Sequence, residues 1–138
     1  MDEGPIRLTD DEIYELAPYA RLLGAEFTEM SGESVTATLR ARPELSTLGG
    51  AMHGGALMSL SDLSIAVCVG LNMKPGNTMT TAESTTYFLR PMRGLSAVAR
   101  ARPIKVGRSV VYAEADIYDD DGTHCARTCQ VLAVLSPR

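Results

Sequence analysis

The run His53-Gly54-Gly55-Ala56-Leu57-Met58-Ser59-Leu60-Ser61-Asp62 holds the residues best suited to chemistry in this chain. Two glycines at the start of an apolar helix leave backbone N–H groups with no intrahelical acceptor and no side chain over them. The helix dipole adds partial positive charge at the same end. A carbonyl oxygen that gains negative charge during a reaction is stabilised at such a spot, which is the requirement for an oxyanion hole. Paired glycines also start helices for packing alone, so the acid is the sharper signal. Asp62 falls in the middle of an apolar helix, where an unpaired carboxylate would be costly. Either hydrogen bonds from Ser61, Ser64 or a neighbouring strand hold it, or it has a task. A desolvated carboxylate serves as a general base on water or attacks a carbonyl carbon directly. His53 either orients the reacting carbonyl or caps the helix start.

Spacing constrains the assembly. Gly54 and Asp62 are eight positions apart, roughly 12 Å along one helix. An acid or nucleophile and an oxyanion donor must both lie within about 3 Å of the reacting centre. One copy of the helix cannot supply both. If both are catalytic, the Gly54 end of one chain faces Asp62 of another, and the working unit is a homodimer with two interfacial sites.

The elements that must position these residues are legible by period. Thr9-Asp10-Asp11-Glu12 has the form of a capping box and predicts a short helix from about Asp10 to Leu16, stopped near Pro18. Val35, Ala37 and Leu39 alternate with Ser34, Thr36, Thr38 and Arg40, the pattern of a half-buried strand; Gly32 divides 25–30 from 33–41 as two arms of a hairpin. Pro43 to Ala51 reads as a loop. Residues 51–73, with small side chains on most faces, predict a helix buried all round, ended by Lys74-Pro75-Gly76-Asn77. Strands are expected over 79–89, 95–105, 110–118 and 124–135, with Leu95, Ala97, Ala99 and Ala101 on one face. Asp119-Asp120-Asp121-Gly122 has hairpin-turn composition. Short turns make these strands mostly antiparallel. The fold class is α+β, one long central helix against an antiparallel sheet.

Composition narrows the function classes. A length of 138 residues suits a single domain, 1–138, with residues 1–20 as an extension bearing the short helix. An apolar fraction of 45% argues against disorder, and a net charge of −4 without a basic run argues against nucleic acid as a partner. A central Asp62 argues against a membrane span through 51–73. The acidic start Met1-Asp2-Glu3-Gly4-Pro5 lacks the order of a secretory signal, so a cytoplasmic location is expected. Cys68, Cys125 and Cys129 do not cluster and the chain has two histidines, so no metal site is expected and the thiols read as reduced and buried. His124 reads as a surface residue. Neither a Gly-x-Ser-x-Gly elbow nor a Rossmann or P-loop glycine pattern is present.

Taken in order along the chain, several features resemble the hotdog-fold thioesterases, most nearly the phenylacetate-degradation (PaaI-like) branch. They run from Leu22 to Leu135: Leu23-Gly24, His53-Gly54-Gly55 with Asp62 nine residues after the His, Thr81-Ala82-Glu83, and Phe88-Leu89-Arg90-Pro91. Gly94, Gly107-Arg108, the Asp121-Gly122 turn and Cys125-Ala126-Arg127 follow. The resemblance implies an antiparallel sheet wrapped around a long helix, dimers that join their sheets, and often a dimer of dimers. It implies hydrolysis of an acyl-CoA, with coenzyme A as part of the substrate and no separate cofactor. Asp62 resembles the catalytic acid supplied across the interface, Gly54 the residue whose N–H polarises the thioester carbonyl, and Thr81, with Thr80 second, the residue that places water. The chain departs at Thr47, where many relatives carry Asn or Gln. Arg90, Arg93, Lys105 and Arg108, with Gly55, Thr80 and Gly107, are expected around the coenzyme A entrance. Met58 and Leu57 are expected in an apolar acyl pocket. Two other classes fit the same fold: a hydratase or dehydratase, and a non-catalytic acyl-CoA-binding protein.

Overall fold

The computed structural model describes residues 8–138; the acidic start Met1–Pro5 lies outside them. The capping box forms: the Thr9 hydroxyl accepts from the Glu12 N–H at 3.2 Å and the Glu12 carboxylate accepts from the Thr9 N–H at 2.8 Å. It starts α1, Asp10–Leu16. Pro18 does more than stop this helix. It occupies the first turn of a second one, α2 (Pro18–Leu23), where its missing N–H has no intrahelical partner to lose. Gly24, at φ 87°, ends α2 in the left-handed region.

Strands β1 (Glu26–Met30) and β2 (Val35–Arg40) form the expected hairpin. The long helix α3, Gly54–Gly70, follows a 3-10 turn at Pro43–Leu45. Four strands complete the chain: β3 (Thr78–Phe88), β4 (Ser96–Val106), β5 (Val110–Asp119) and β6 (His124–Leu135). The sheet has six strands in the order β1-β2-β4-β5-β6-β3, every neighbouring pair antiparallel. Its inner face buries Val35, Ala37 and Leu39 of β2, Ala97, Ala99 and Ala101 of β4, and Val111, Ala113, Ala115 and Ile117 of β5. The many alanines let α3 lie close, with Leu60, Ile65, Cys68 and Val69 against them, all fully buried. Leu95 does not join that row. It precedes β4 and is 78% exposed, because the strand begins only at Ser96.

Burial of α3 departs from the expectation of a helix covered on all sides. The sheet covers one side, and Gly55, Met58, Asp62 and Gly70 remain exposed along another, with Ala66 half-buried between the last two. Beside this open stripe runs β3, antiparallel to the helix. A side chain on Gly54 would meet the Phe88 ring at 3.1 Å, and one on Gly70 would meet the Met79 methyl at 3.6 Å. In the sheet β3 pairs with β6 alone, so its second edge is open. Small residues and one acid on a helix read as core from composition; here one sheet face cannot enclose the whole cylinder. No helix among the described residues is long and apolar enough to cross a membrane.

Candidate active site

His53 is the N-cap of α3. Its ring Nδ1 accepts the Gly55 N–H at 2.8 Å, which makes it the capping histidine of the two readings. Ala56 and Leu57 donate to the His53 carbonyl oxygen at 2.9 and 3.2 Å. Gly55 therefore has its amide engaged, and the Gly54 N–H is the one left without an acceptor among the described residues. In front of Gly54 lies a cleft of about 440 Å³, lined among others by Thr47, Leu57, Phe88, Arg90 and Arg93. The loop that carries Thr47 is tight. Gly49 and Gly50 lie at φ 87° and 88°, which a side chain would oppose, and Arg93 donates to the Gly49 carbonyl oxygen at 2.9 Å. Arg90 donates to the His124 carbonyl oxygen at 3.0 Å. Thr47 is exposed beside the cleft.

Asp62 stands on the open stripe, more than two turns beyond Gly54. It is exposed in the single chain rather than desolvated. Of the three expected sources of hydrogen bonds, the neighbouring strand supplies one. Gln130 of β6 donates through Nε2 to Asp62 Oδ1 at 2.8 Å and to the Ser84 hydroxyl of β3 at 3.0 Å. Ser64 donates instead to the Leu60 carbonyl oxygen at 2.6 Å, and the Ser61 hydroxyl is buried without a partner among the described residues. Gln130 is 3% exposed, and its Oε1 is also buried without a partner among those residues.

Gln130 and Ser84 escaped the reading of the sequence. A signal was available: Ala126, Thr128, Gln130 and Leu132 are alternate residues of β6, so one face carries a glutamine in an otherwise nearly apolar row, and a buried amide needs a partner. The strand register also separates the two threonines proposed to place water. Thr81 pairs with Leu132, on the face toward α3, whereas Thr80 pairs with Ala133 on the face away from it. Thr80 is therefore turned from Asp62. An irregularity between Thr81 and Glu83 absorbs one residue, which is why Thr81 and Ser84 share the inner face. Met58 is 43% exposed on the stripe between Gly54 and Asp62, and Leu57 is buried behind the Gly54 cleft.

The expected gathering of Arg90, Arg93, Lys105 and Arg108 does not occur within one chain. Arg90 and Arg93 flank the Gly54 end. Lys105 and Arg108 lie at the far end of β4, whose 11 residues extend roughly 36 Å. There Gly107 makes a tight turn, its N–H donating to the Val110 carbonyl oxygen at 2.9 Å, and Arg108 lines a separate cleft with Asn72 and Lys74.

His124 is not a free surface residue. Its Nε2 lies 2.7 Å from Oδ1 of Asp116, a carboxylate that is 2% exposed and also receives two bonds from Arg127 at 2.8 and 3.2 Å. Burial pushes the Asp116 carboxyl up, but the bonds from Arg127 and His124 outweigh it and hold it below its ordinary value. The cluster lies on the outer face of the sheet, away from α3. Cys68 and Cys125 are buried free thiols; Cys129 is half-buried.

Comparison with known proteins gives the family and the fold. The Thioesterase superfamily model matches residues 49–126, more than half of the chain, including the whole of α3. A Mycobacterium tuberculosis protein named as a candidate esterase is 30% identical over 113 residues, 80% of this chain and 81% of its own. Two solved structures share the fold. A thioesterase from Haemophilus influenzae superposes with a TM-score of 0.87 at 23% identity, covering 96% of this chain and 94% of its own. The PaaI protein from the phenylacetic acid degradation operon of E. coli superposes with a TM-score of 0.83 at 20% identity, covering 92% and 91%. With a six-stranded antiparallel sheet, a long central helix and the family match across that helix, the chain belongs to the Thioesterase superfamily, as a hotdog-fold thioester hydrolase.

Proposed function

We propose that the chain hydrolyses an acyl-CoA thioester to the free acid and coenzyme A, at two sites formed between two copies of itself. The observation that carries this is the open stripe of α3. It presents a free backbone amide at Gly54 and a carboxylate at Asp62 beside an unpaired edge strand. Antiparallel pairing of β3 with its counterpart would set the two stripes face to face and bring the Gly54 amide of one chain to Asp62 of the other. It would also satisfy the open edge of an 11-residue strand, a feature that proteins rarely leave bare. Enclosure by the partner would then remove Asp62 from water.

In this mechanism the Gly54 N–H receives the thioester carbonyl oxygen. Asp62 takes a proton from a water as the water oxygen bonds to the carbonyl carbon. The tetrahedral intermediate then expels the thiolate of coenzyme A, and the proton held by Asp62 leaves with it. Gln130 binds one carboxylate oxygen and leaves the other for the water. Ser84, bonded to the same Gln130 amide, and Thr81, one step along the inner face of β3, are the hydroxyls that position that water. Thr47 and His53 shape the approach to Gly54, and Arg90 and Arg93 meet coenzyme A phosphates at that end. Gly107 and Arg108 would reach the same coenzyme A only if the assembly brings their end of another chain to it.

A panel of aryl and aliphatic acyl-CoAs assayed with wild type and Asp62→Ala tests the reading. Hydrolysis should fall by about a thousandfold in the variant. Turnover that survives the substitution undiminished removes the mechanism.

A further inference from the structure

We infer that the acyl group of the substrate is an unbranched aliphatic chain of about ten carbons, seated in the groove that α1 closes over the second half of α3 and the start of β3. This rests on Asp62 as the reacting acid. The groove has a volume of about 440 Å³, and α3 contributes Leu63, Ala66, Val67 and Gly70 to it, with Leu16 of α1 and Met79 of β3 on the flanks. Among the described residues every side chain on its wall is a hydrocarbon or a thioether, so no side chain there pairs with a hydroxyl, a carboxylate or a polar ring substituent. A polar acyl group would lose its hydration without compensation, which disfavours it strongly.

Position and length both follow from α3. Ala66 lies one helical turn beyond Asp62 on the same stripe, so a thioester at the carboxylate has the groove mouth directly beside it. From Asp62 to Gly70 is eight residues, roughly 12 Å, the reach of an extended chain of about ten carbons. At the far end the Met79 methyl, 3.6 Å from the point where a Gly70 side chain would begin, stands on the wall with Leu71 and Met73. Ala66 and Gly70 leave the bore open; larger side chains at either place would fill it. On the interfacial reading the phosphates of that coenzyme A meet the Gly54 end of the second copy, where Arg90 and Arg93 line the cleft, and the groove of the first copy is left to the hydrocarbon.

The test separates binding from turnover. Calorimetry with thioether analogues, decyl-, butyl- and benzyl-CoA, is run on wild type, Ala66→Leu and Leu16→Asp, alongside hydrolysis of the matching thioesters. Leu16 is 77% exposed, so its replacement spares the core. Decyl-CoA should bind at least a hundredfold more tightly than butyl-CoA, and each variant should cut that ratio about tenfold or more. Benzyl-CoA binding as tightly as decyl-CoA overturns the inference, as does an unmoved ratio in both variants. So does a change in oligomeric state in the variants without a change in the ratio, which would give the groove to a second copy of the chain. Chain-length-dependent binding with no hydrolysis of any thioester would support the groove and sink Asp62 as the reacting acid.

Discussion

Asp62 is held by a single bond from a side chain that is itself almost wholly buried, and this divides the labour between the two residues. The carboxylate is free to turn, except where Gln130 fixes one oxygen. Gln130→Met keeps the volume and deletes the donor. Its expected effect is a kcat about tenfold lower with KM within about twofold, since a positioning residue acts on the reacting geometry more than on substrate affinity. Steady-state kinetics on one acyl-CoA read this split, and a purely structural glutamine would show only a lower melting temperature. Asp116, on the outer face of the sheet, makes a different prediction. Its carboxyl is held below the ordinary value, so the stability it contributes is present above the ordinary carboxylate range and is lost as pH falls through the depressed value. Asp116→Asn should therefore lower unfolding free energy by about 2 kcal/mol at pH 7. The gap to wild type should narrow below about pH 4, and urea titrations at both pH values measure it.

At the scale of elements, the start of α3 depends on what β3 places against it. The point where a Gly54 side chain would begin is 3.1 Å from two Phe88 ring atoms, tighter than a methyl group tolerates without movement. Gly54→Ala should cost at least tenfold in activity, although alanine is the better helix former, because the helix start or the ring must shift by a few tenths of an ångström. Combining it with Phe88→Leu should recover part of the loss. A double-mutant cycle in which the two substitutions add without coupling would show that the ring does not set the position of the amide. Strand β3 thus acts as a rail along the helix, with Phe88 opposite Gly54, Ser84 linked to Asp62 through Gln130, and Met79 opposite Gly70.

For the whole molecule, the open helix stripe and the open strand edge lie on the same side. Met58 is 43% exposed there. Met58→Lys should leave the far-ultraviolet dichroism of the folded chain intact, shift sedimentation toward the monomer, and abolish thioester hydrolysis with it. A monomeric variant that remains fully active would show that one chain completes the site alone. The open edge strand and the exposed stripe of α3 are the surfaces that the proposed second copy would cover.

Local chemistry was enough to read much of this protein from its residues. The capping box at Thr9, the period-two burial of Val35, Ala37 and Leu39, the turn at Gly122 and the long apolar helix each depend on neighbours within a few positions, where spacing and side-chain shape decide the outcome. Hidden from the sequence were relations between residues far apart in it. Gln130 reaches Asp62 across 68 positions, and an irregularity in β3 decides that Thr81 rather than Thr80 faces the helix. Arg93 and Arg108 are parted by the length of a strand that also determines which end each belongs to. Which side of α3 stays uncovered was likewise a tertiary matter, because composition counts apolar residues while burial depends on whether another surface arrives to cover them.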